Sequence, residues 1–499
     1  MKVQSLALLL YIMTFQAPAT ARADEWAVLG PRAMGMGGAG VAVTRGALGV
    51  YWNPATLMPP RAPRLDSAWD VEVPASLNIA ATNDAARQIA DIADILEELD
   101  LEEIEDALDA GTNLTDEDFQ RILRLLTEEL PGLARPGTGL VTNASGGLMV
   151  RLGSFGFSAL AVSHGGAEAR IDLTNLALGD EGIDGVIGAG NDRDGELSGP
   201  GQAFADSLAA AGLATQNQAE EIVFQAAQGG VDVSSPGVQE NIRAILAATQ
   251  ANDGGSLENF FTRNGTGVDL RGIILQEYAL AYAQPILDIL TLGVSAKLLY
   301  GMTYFKPYSL AELDVIAELA DDVIDSRNRE ESVRFGLDLG ALAQPIKGLS
   351  VGIIARNLNR PKFDVKGPGD YVVDPQLRAG VALGPFAGLT IAADIDCFVN
   401  HSRAFPGYDS QVLGGGVEYS ILDVVFLRAG LSKNLVEEDE NVMLHAGLGV
   451  RLGYVHIEVA ASATPEWTEV SSGIGRKDPD VIPERGGLSA MIGVNIPLD

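Results

Sequence analysis

From about residue 140 onward, apolar side chains alternate with small or charged ones. Phe335, Leu337 and Leu339 alternate with Arg334, Gly336, Asp338 and Gly340. Leu377, Val381 and Leu383 alternate with Arg378, Gly380 and Ala382, and Ile391 and Ile395 with Asp394 and Asp396. Leu427 and Leu431 flank Arg428 and Gly430, Leu448 and Val450 flank Gly449 and Arg451, and Ile457 and Val459 flank Glu458. Successive strand residues point to opposite faces, so each segment has one apolar face and one small or charged face.

Fourteen segments read this way: 67–82, 140–152, 154–164, 268–285, 287–305, 331–345, 348–359, 374–385, 387–400, 409–420, 422–434, 441–452, 453–465 and 486–498. Tight turns and long connections alternate between them. The long ones are 83–139, 165–267, 306–330, 360–373, 401–408, 435–440 and 466–485. An even number of strands joined this way predicts an all-β transmembrane barrel of about fourteen antiparallel strands, with lipid outside and a polar lumen. It places both chain ends, the N-terminus and Asp499, on the short-turn side. Arg334, Asp338, Arg378, Asp394, Asp396, Arg428, Arg451 and Glu458 should then face the lumen, the arginines neutralising the acids.

Two long connections read as helical insertions, at 84–131 and 200–252. Ile89, Ile92, Leu96 and Leu99 form an apolar stripe over 84–110, backed by an acidic face. Phe119, Ile122, Leu126 and Leu130 repeat the stripe after a cap at Thr115. Residues 203–228 and 236–251 read as a second helical pair, the latter opened by Ser235 and Pro236.

Composition narrows the options. The 499 residues carry a net charge of −33, which disfavours nucleic acid as a partner. Cys397 is the one cysteine, so no intrachain disulfide, CxxC pair or cysteine zinc site can form. With four histidines, no metal or cofactor is expected. Lys2, the apolar run Leu6 to Phe15 and Ala21-Arg22-Ala23 read as a signal peptide over 1–23, cleaved after Ala23. Aromatic residues are only 6% of the chain. So low a content predicts thin interfacial girdles.

Three motifs suggest chemistry. Gly35, Gly37 and Gly40 match G-x-G-x-x-G, but a dinucleotide site needs that loop between a strand and a helix, with an acid about 20 residues on. Ser350 sits in a G-x-S-x-G, but at the start of a strand and with no evident histidine partner. Asp192 to Glu196 resembles a calcium loop whose twelfth position falls on Gly201 rather than a glutamate. None supports catalysis, and a non-enzymatic protein is expected.

Gly30 to Val43, with its Gly-Met-Gly-Gly-Ala-Gly run, and then Val50-Tyr51-Trp52-Asn53-Pro54-Ala55-Thr56-Leu57 resemble the start of the FadL-like outer-membrane proteins. These include long-chain fatty-acid transporters, PorV-type secretion components and barrels labelled conjugal transfer protein TraF. The last group is most similar, because an acidic helical insertion follows its first strand. The resemblance implies an outer-membrane location and an N-terminal hatch over 24–60 involving Gly35, Gly37, Gly38, Asn53, Pro54 and Ala55. It further implies lipid as surroundings and either a small hydrophobic ligand or an envelope protein as partner. Passive uptake of hydrophobic molecules would show as apolar residues converging near Asn53. An assembly, conjugation or secretion accessory would show a solid interior and apolar patches on the helices.

Overall fold

The computed structural model describes residues 23–60, 68–98, 115–172, 196–197, 199–251, 265–309, 328–366, 369–437, 440–470 and 480–497. Fourteen antiparallel strands close into a barrel: β1 Ala68–Thr82, β2 Gly139–Leu152, β3 Phe155–Arg170, β4 Gly267–Leu287, β5 Leu290–Ser309, β6 Arg329–Ala343, β7 Leu349–Arg356, β8 Gln376–Phe386, β9 Leu389–Asp396, β10 Val412–Ile421, β11 Val425–Asn434, β12 Met443–Leu452, β13 Val455–Ala463 and β14 Arg485–Pro497. Each pairs with its sequence neighbours, and β14 closes on β1 through pairs from Ala68↔Pro497 to Ala80↔Arg485. All fourteen expected segments are strands. Asp499, expected on the short-turn side, lies outside the described residues, but β14 brings Pro497 to the short-turn rim.

Alternation decides which face meets lipid. Leu77, Phe157, Leu280, Leu298, Leu339, Val381, Ile391, Leu427, Leu448, Val459 and Ile492 are exposed around the whole circumference. An apolar belt of that extent is stable only against lipid, so the barrel spans a membrane. No described helix is long and apolar enough to cross one. The short turns mark the inner rim and the long connections the outer rim. Gly153 and Gly453 take φ of +58° and +62° in tight hairpin turns. Glycine adopts that conformation without a Cβ penalty.

Aromatic residues are few but concentrated. Trp69, Phe155, Tyr282, Phe386, Tyr419 and Tyr454 are exposed at or beside the inner rim. A girdle thus forms there despite the low overall content, correcting the expectation from composition.

The wall is uneven in height. β4 and β5 have 21 and 20 residues, whereas β7 and β9 have 8 each. A spanning strand needs about 9–11, so one side rises well above the membrane. The β6–β7 ladder is short, running only from Leu339↔Ala355 to Ala343↔Val351.

The two helical insertions fold into one body. α1 Asp116–Arg124 supplies Phe119 and Leu123 from the first. α2 Gly199–Ala210, α3 Gln216–Gln228 and α4 Pro236–Ala251 supply Phe204, Leu208, Ile222, Val223, Ile242 and Leu246 from the second. These side chains share one buried core. Gln120 Nε2 donates to Gln225 Oε1 at 2.7 Å, and Asn241 Nδ2 to Thr127 O at 3.0 Å. The 203–228 stretch, expected as one helix, breaks at 211–215, where Thr215 and Gln218 form a capping box that starts α3. A further helix, Ala85–Glu98, follows β1. The remainder of the expected 84–110 helix, and Asp192 to Gly195 of the calcium-like loop, lie outside the described residues.

Candidate functional site: the occupied lumen

Residues 24–58 run through the barrel interior, from the outer rim at Asp24 to the inner rim at Met58. This corrects the expected N-terminus: Asp24 lies among the outer connections, hydrogen-bonded to Ser402, Arg403 and Ala404. Trp26, Leu29, Val41, Leu48, Tyr51 and Trp52 form a core with Met149, Leu160, Val162, Ile354 and Met491 of the wall. Trp26 stacks on Trp52 with ring centres 6.0 Å apart, and Tyr51 meets Trp52 edge-on at 5.7 Å.

Glycines on the inward face of the wall form seats for this segment. A Cβ on Gly416 would lie 2.7 Å from Met36 Cα, one on Gly430 2.6 Å from Met36 C, and one on Gly352 2.8 Å from Val41 O. Gly293 meets the backbone of Pro54 and Ala55 in the same way, while Gly340 makes room for the side chains of Asn53 and Pro54. At Gly416, Gly430, Gly352 and Gly293 main chain lies directly on main chain, which only glycine permits.

The hatch residues named from sequence occupy this interface. Gly35 rests on Gly447, and Gly37, at φ +70°, is wedged against Gly415 and Leu431. The Gly38 carbonyl accepts from Arg378 Nη2 at 3.3 Å. Asn53 is completely buried. Its Oδ1 accepts from Ala55 N at 3.0 Å, capping the 3-10 turn Pro54–Leu57, and its Nδ2 donates to Val41 O and Ala341 O, both at 3.1 Å. G-x-G-x-x-G is therefore a packing run, with no strand–loop–helix around it.

The lumen charges divide by depth. Arg378 Nη1 pairs with Asp396 at 2.8 Å and its Nε lies 3.7 Å from Asp394. Asp394 Oδ2 accepts the backbone N–H groups of Gly40 at 2.7 Å and Val41 at 2.8 Å. Arg428 bridges Glu418 and Glu458, both at 2.7 Å. Lys297 pairs with Asp338 at 3.1 Å. Of the four arginines expected to neutralise Asp394 and Asp396 only Arg378 does so: Arg428 serves Glu418 and Glu458, and Arg334 and Arg451 join none of these groups. Arg334 bonds Lys362 O and Asp364 at the outer rim, and Arg451 lies over the Phe426 ring at the inner rim.

Several residues here escaped the sequence reading. Arg356 lies 4.2 Å over the Tyr51 ring and pairs with Glu277 at 3.2 Å. Arg151 pairs with Asp70, and Glu72 Oε2 accepts Leu48 N at 2.6 Å. Arg32 pairs with Glu418, and Arg485 with Glu25 and Glu440. Strand parity could have found Glu277 and Lys297, but the lumen-facing Ile273, Leu275 and Leu299 blur the alternation there. Ser350 is buried and accepts from Gln344 Nε2 at 3.1 Å. Among the described residues no group of His, Cys, Asp and Glu gathers that could hold a metal ion.

Above the segment, at the outer rim, a cavity of about 640 Å³ is lined by Arg271, Tyr304, Phe305, Val365, Tyr371 and Arg403 among others. Burial and the neighbouring Asp24 carboxylate push the Tyr371 phenol well above its ordinary pKa.

The family described as "F plasmid transfer operon, TraF, protein" matches residues 50–396, and the chain belongs to that family. No curated protein matches it. Solved barrels are similar at low identity. The P. putida toluene transporter TodX is 12% identical over 94% of this chain and 98% of its own, with a TM-score of 0.43. The Ralstonia pickettii toluene transporter TbuX is 13% identical over 94% and 98%, at 0.41. A Pseudomonas aeruginosa FadL homologue is 10% identical over 94% and 98%, at 0.42.

Proposed function

We propose that this member of the family is an outer-membrane barrel that lets small hydrophobic molecules pass without catalysis, its N-terminal segment serving as a hatch. The observation that carries this reading is the outer cavity, whose floor is built by the residues that hold Asp24. Its volume is about 640 Å³. That falls within the usual range of small-molecule sites. The aromatic faces of Tyr304, Phe305 and Tyr371 suit an apolar guest, although Arg271, Asp370, His401, Arg403 and Asp409 line the same cavity.

The expected apolar convergence near Asn53 is not what supports the reading, because Asn53 is sealed by the wall and by Val41. The lower lumen carries Arg32, Glu418, Arg428 and Glu458, a poor environment for an apolar molecule. Above Leu339 the edge of β6 pairs instead with the connection after β7: Leu358 N donates to Leu337 O at 2.9 Å, and the Asn359 amide bonds Leu337 N at 3.0 Å and Phe335 O at 2.5 Å. These bonds close the seam in this structure, so an exit toward lipid there, avoiding the charged lower lumen, requires them to break.

The test compares a null strain, wild type and hatch variants (deletion of Gly35 to Gly40, and Asn53→Ala) for uptake of labelled alkanes, aromatics and fatty acids. Neutral hydrophobic molecules should depend on the barrel most, since the acidic outer surface does not attract carboxylates. Equal uptake of every class in null and wild-type cells overturns the reading.

The helical body favours a second reading, an envelope assembly, conjugation or secretion accessory that presents a binding platform. Two separate connections invest in a common folded core, although their apolar faces turn inward rather than forming the expected exposed patches. Loss of a conjugation, secretion or surface-assembly phenotype with uptake intact would select this reading.

A further inference from the structure

The end of the first long connection, which carries the first helical insertion, and the N-terminal segment meet at opposite sides of another connection, residues 401–408. On one side, Asp24 Oδ1 accepts from Ser402 Oγ at 2.7 Å, Arg403 N at 2.8 Å and Ala404 N at 3.0 Å. Tyr371 OH donates to Asp24 Oδ2, and Gln376 Nε2 donates to Asp24 O at 2.7 Å. One carboxylate thus clasps two outer connections.

On the other side, Gly407 lies flat against Gly137, at the foot of the first helical insertion. A Cβ on Gly137 would lie 2.5 Å from Gly407 O, and one on Gly407 would lie 2.6 Å from Gly137 N. Thr82 Oγ1 and Asn83 Nδ2 hold the foot by donating to Gly137 O at 2.6 and 3.0 Å. Phe405 and Tyr408 anchor the connection against Val141 of β2.

Contacts of this kind transmit displacement. Backbone packed on backbone leaves no rotamer to absorb a shift, and close-packed interiors pass strain on. The clasp is sensitive to it, because hydrogen bonds weaken steeply as distance and angle depart from their optimum.

We propose that the helical insertion regulates the hatch through this bridge: moving the foot at Gly137 displaces residues 401–408 and opens the clasp on Asp24. This rests on the reading of residues 24–60 as a movable hatch, but its test does not depend on transport. It supplies a link from an event outside the cell to the top of the lumen.

The experiment introduces Val28→Cys, just below the clasp, in a Cys397→Ser background. Intact cells are treated with a membrane-impermeant maleimide. Asp24→Ala opens the clasp directly and sets the reference, raising the labelling rate by roughly tenfold, the scale of a lost charge-assisted hydrogen bond. Thr82→Val with Asn83→Gly frees the foot without touching residues 401–408 or the hatch. If the bridge transmits, labelling rises toward the Asp24→Ala rate. Wild-type labelling in this variant, with Asp24→Ala fast, overturns the coupling, and slow labelling in both overturns the clasp itself. Heat-modifiable gel mobility confirms a folded barrel in each strain, and Thr82→Val alone stands in should the double variant fail to insert. Uptake measured in parallel separates failure of the bridge from failure of the transport reading.

Discussion

Arg32 of the N-terminal segment and Glu418 of β10 are joined by two parallel hydrogen bonds, Nε to Oε2 at 3.0 Å and Nη2 to Oε1 at 2.7 Å. Glu418 also accepts from Arg428 at 2.7 Å, so one carboxylate serves a wall cation and a segment cation. Removing Glu418 deprives Arg32 of its carboxylate and leaves Arg428 with Glu458 alone, whereas removing Arg32 leaves Glu418 paired with Arg428. Glu418→Ala should therefore cost about 3–5 kcal/mol, the scale of breaking a buried pair, and Arg32→Ala clearly less. Denaturant midpoints followed by tryptophan fluorescence, which reports Trp26 and Trp52, give the comparison. Equal losses would mean that Arg428 does not hold Glu418.

Val381 faces lipid, while Ala382 packs against Met36, Ala39, Ala42 and Val43 of the segment. Arginine at Val381 should impair membrane insertion, by about 2–4 kcal/mol near mid-membrane. Arginine at Ala382 should leave the barrel heat-modifiable but unseat the segment. The readouts are the folded fraction on gels for the first and, for the second, maleimide access to the thiol of Val28→Cys. A folded-fraction loss of the same size at both positions would contradict the register.

Gly340 seats Asn53 and Pro54. Gly340→Val should displace the Asn53 turn without disturbing the lipid face, and uptake of neutral hydrophobic molecules should change while the barrel stays in the membrane. Unchanged uptake, with crosslinking showing the turn displaced, would argue against a gating role for this part of the lumen.

The helical body should be cooperative across both insertions. Phe119, from the first, is buried among residues of the second. Phe119→Ala should cost about 3–5 kcal/mol as a large core truncation. Limited proteolysis of intact cells should then cut within 199–251 as well as near Phe119, while the short turns at 345–348 and 384–388 stay protected. Cleavage confined to the first insertion would show two independent units.

Tyr371 donates its hydroxyl to Asp24, and burial together with Asp24 raises its pKa. Tyr304 adds to that shift and Arg403 opposes it. Its contribution to the clasp is full below the ordinary phenol value of about 10 and is lost as pH rises through the raised value. Hydrogen exchange at the Arg403 and Ala404 amides should stay protected, at a given intrinsic rate, through neutral pH and lose protection only above about pH 10. In Tyr371→Phe the alkaline step should disappear.

The sequence by itself determined the barrel. The period-two pattern is local, each strand declares its two faces without reference to its partner, and the lengths of the connections declare the topology. That is why all fourteen strands were legible to within a few residues, and why parity put Arg378, Asp394, Asp396, Arg428 and Glu458 on the inward face. Parity fixes a face but not a height, so Arg334 and Arg451 share that face yet lie at the rims, beyond the filled section. Only the tertiary structure decided what fills the lumen. Gly416 and Gly430 read as small spacers along the chain and become seats only when Met36 arrives from the opposite end of the sequence. Asp24 reads as the residue after a cleavage site and becomes a clasp only when residues 371 and 402–404 surround it. Interactions between such distant positions leave no periodic trace in either partner, because each residue must suit its own strand or turn and its role lies in the other.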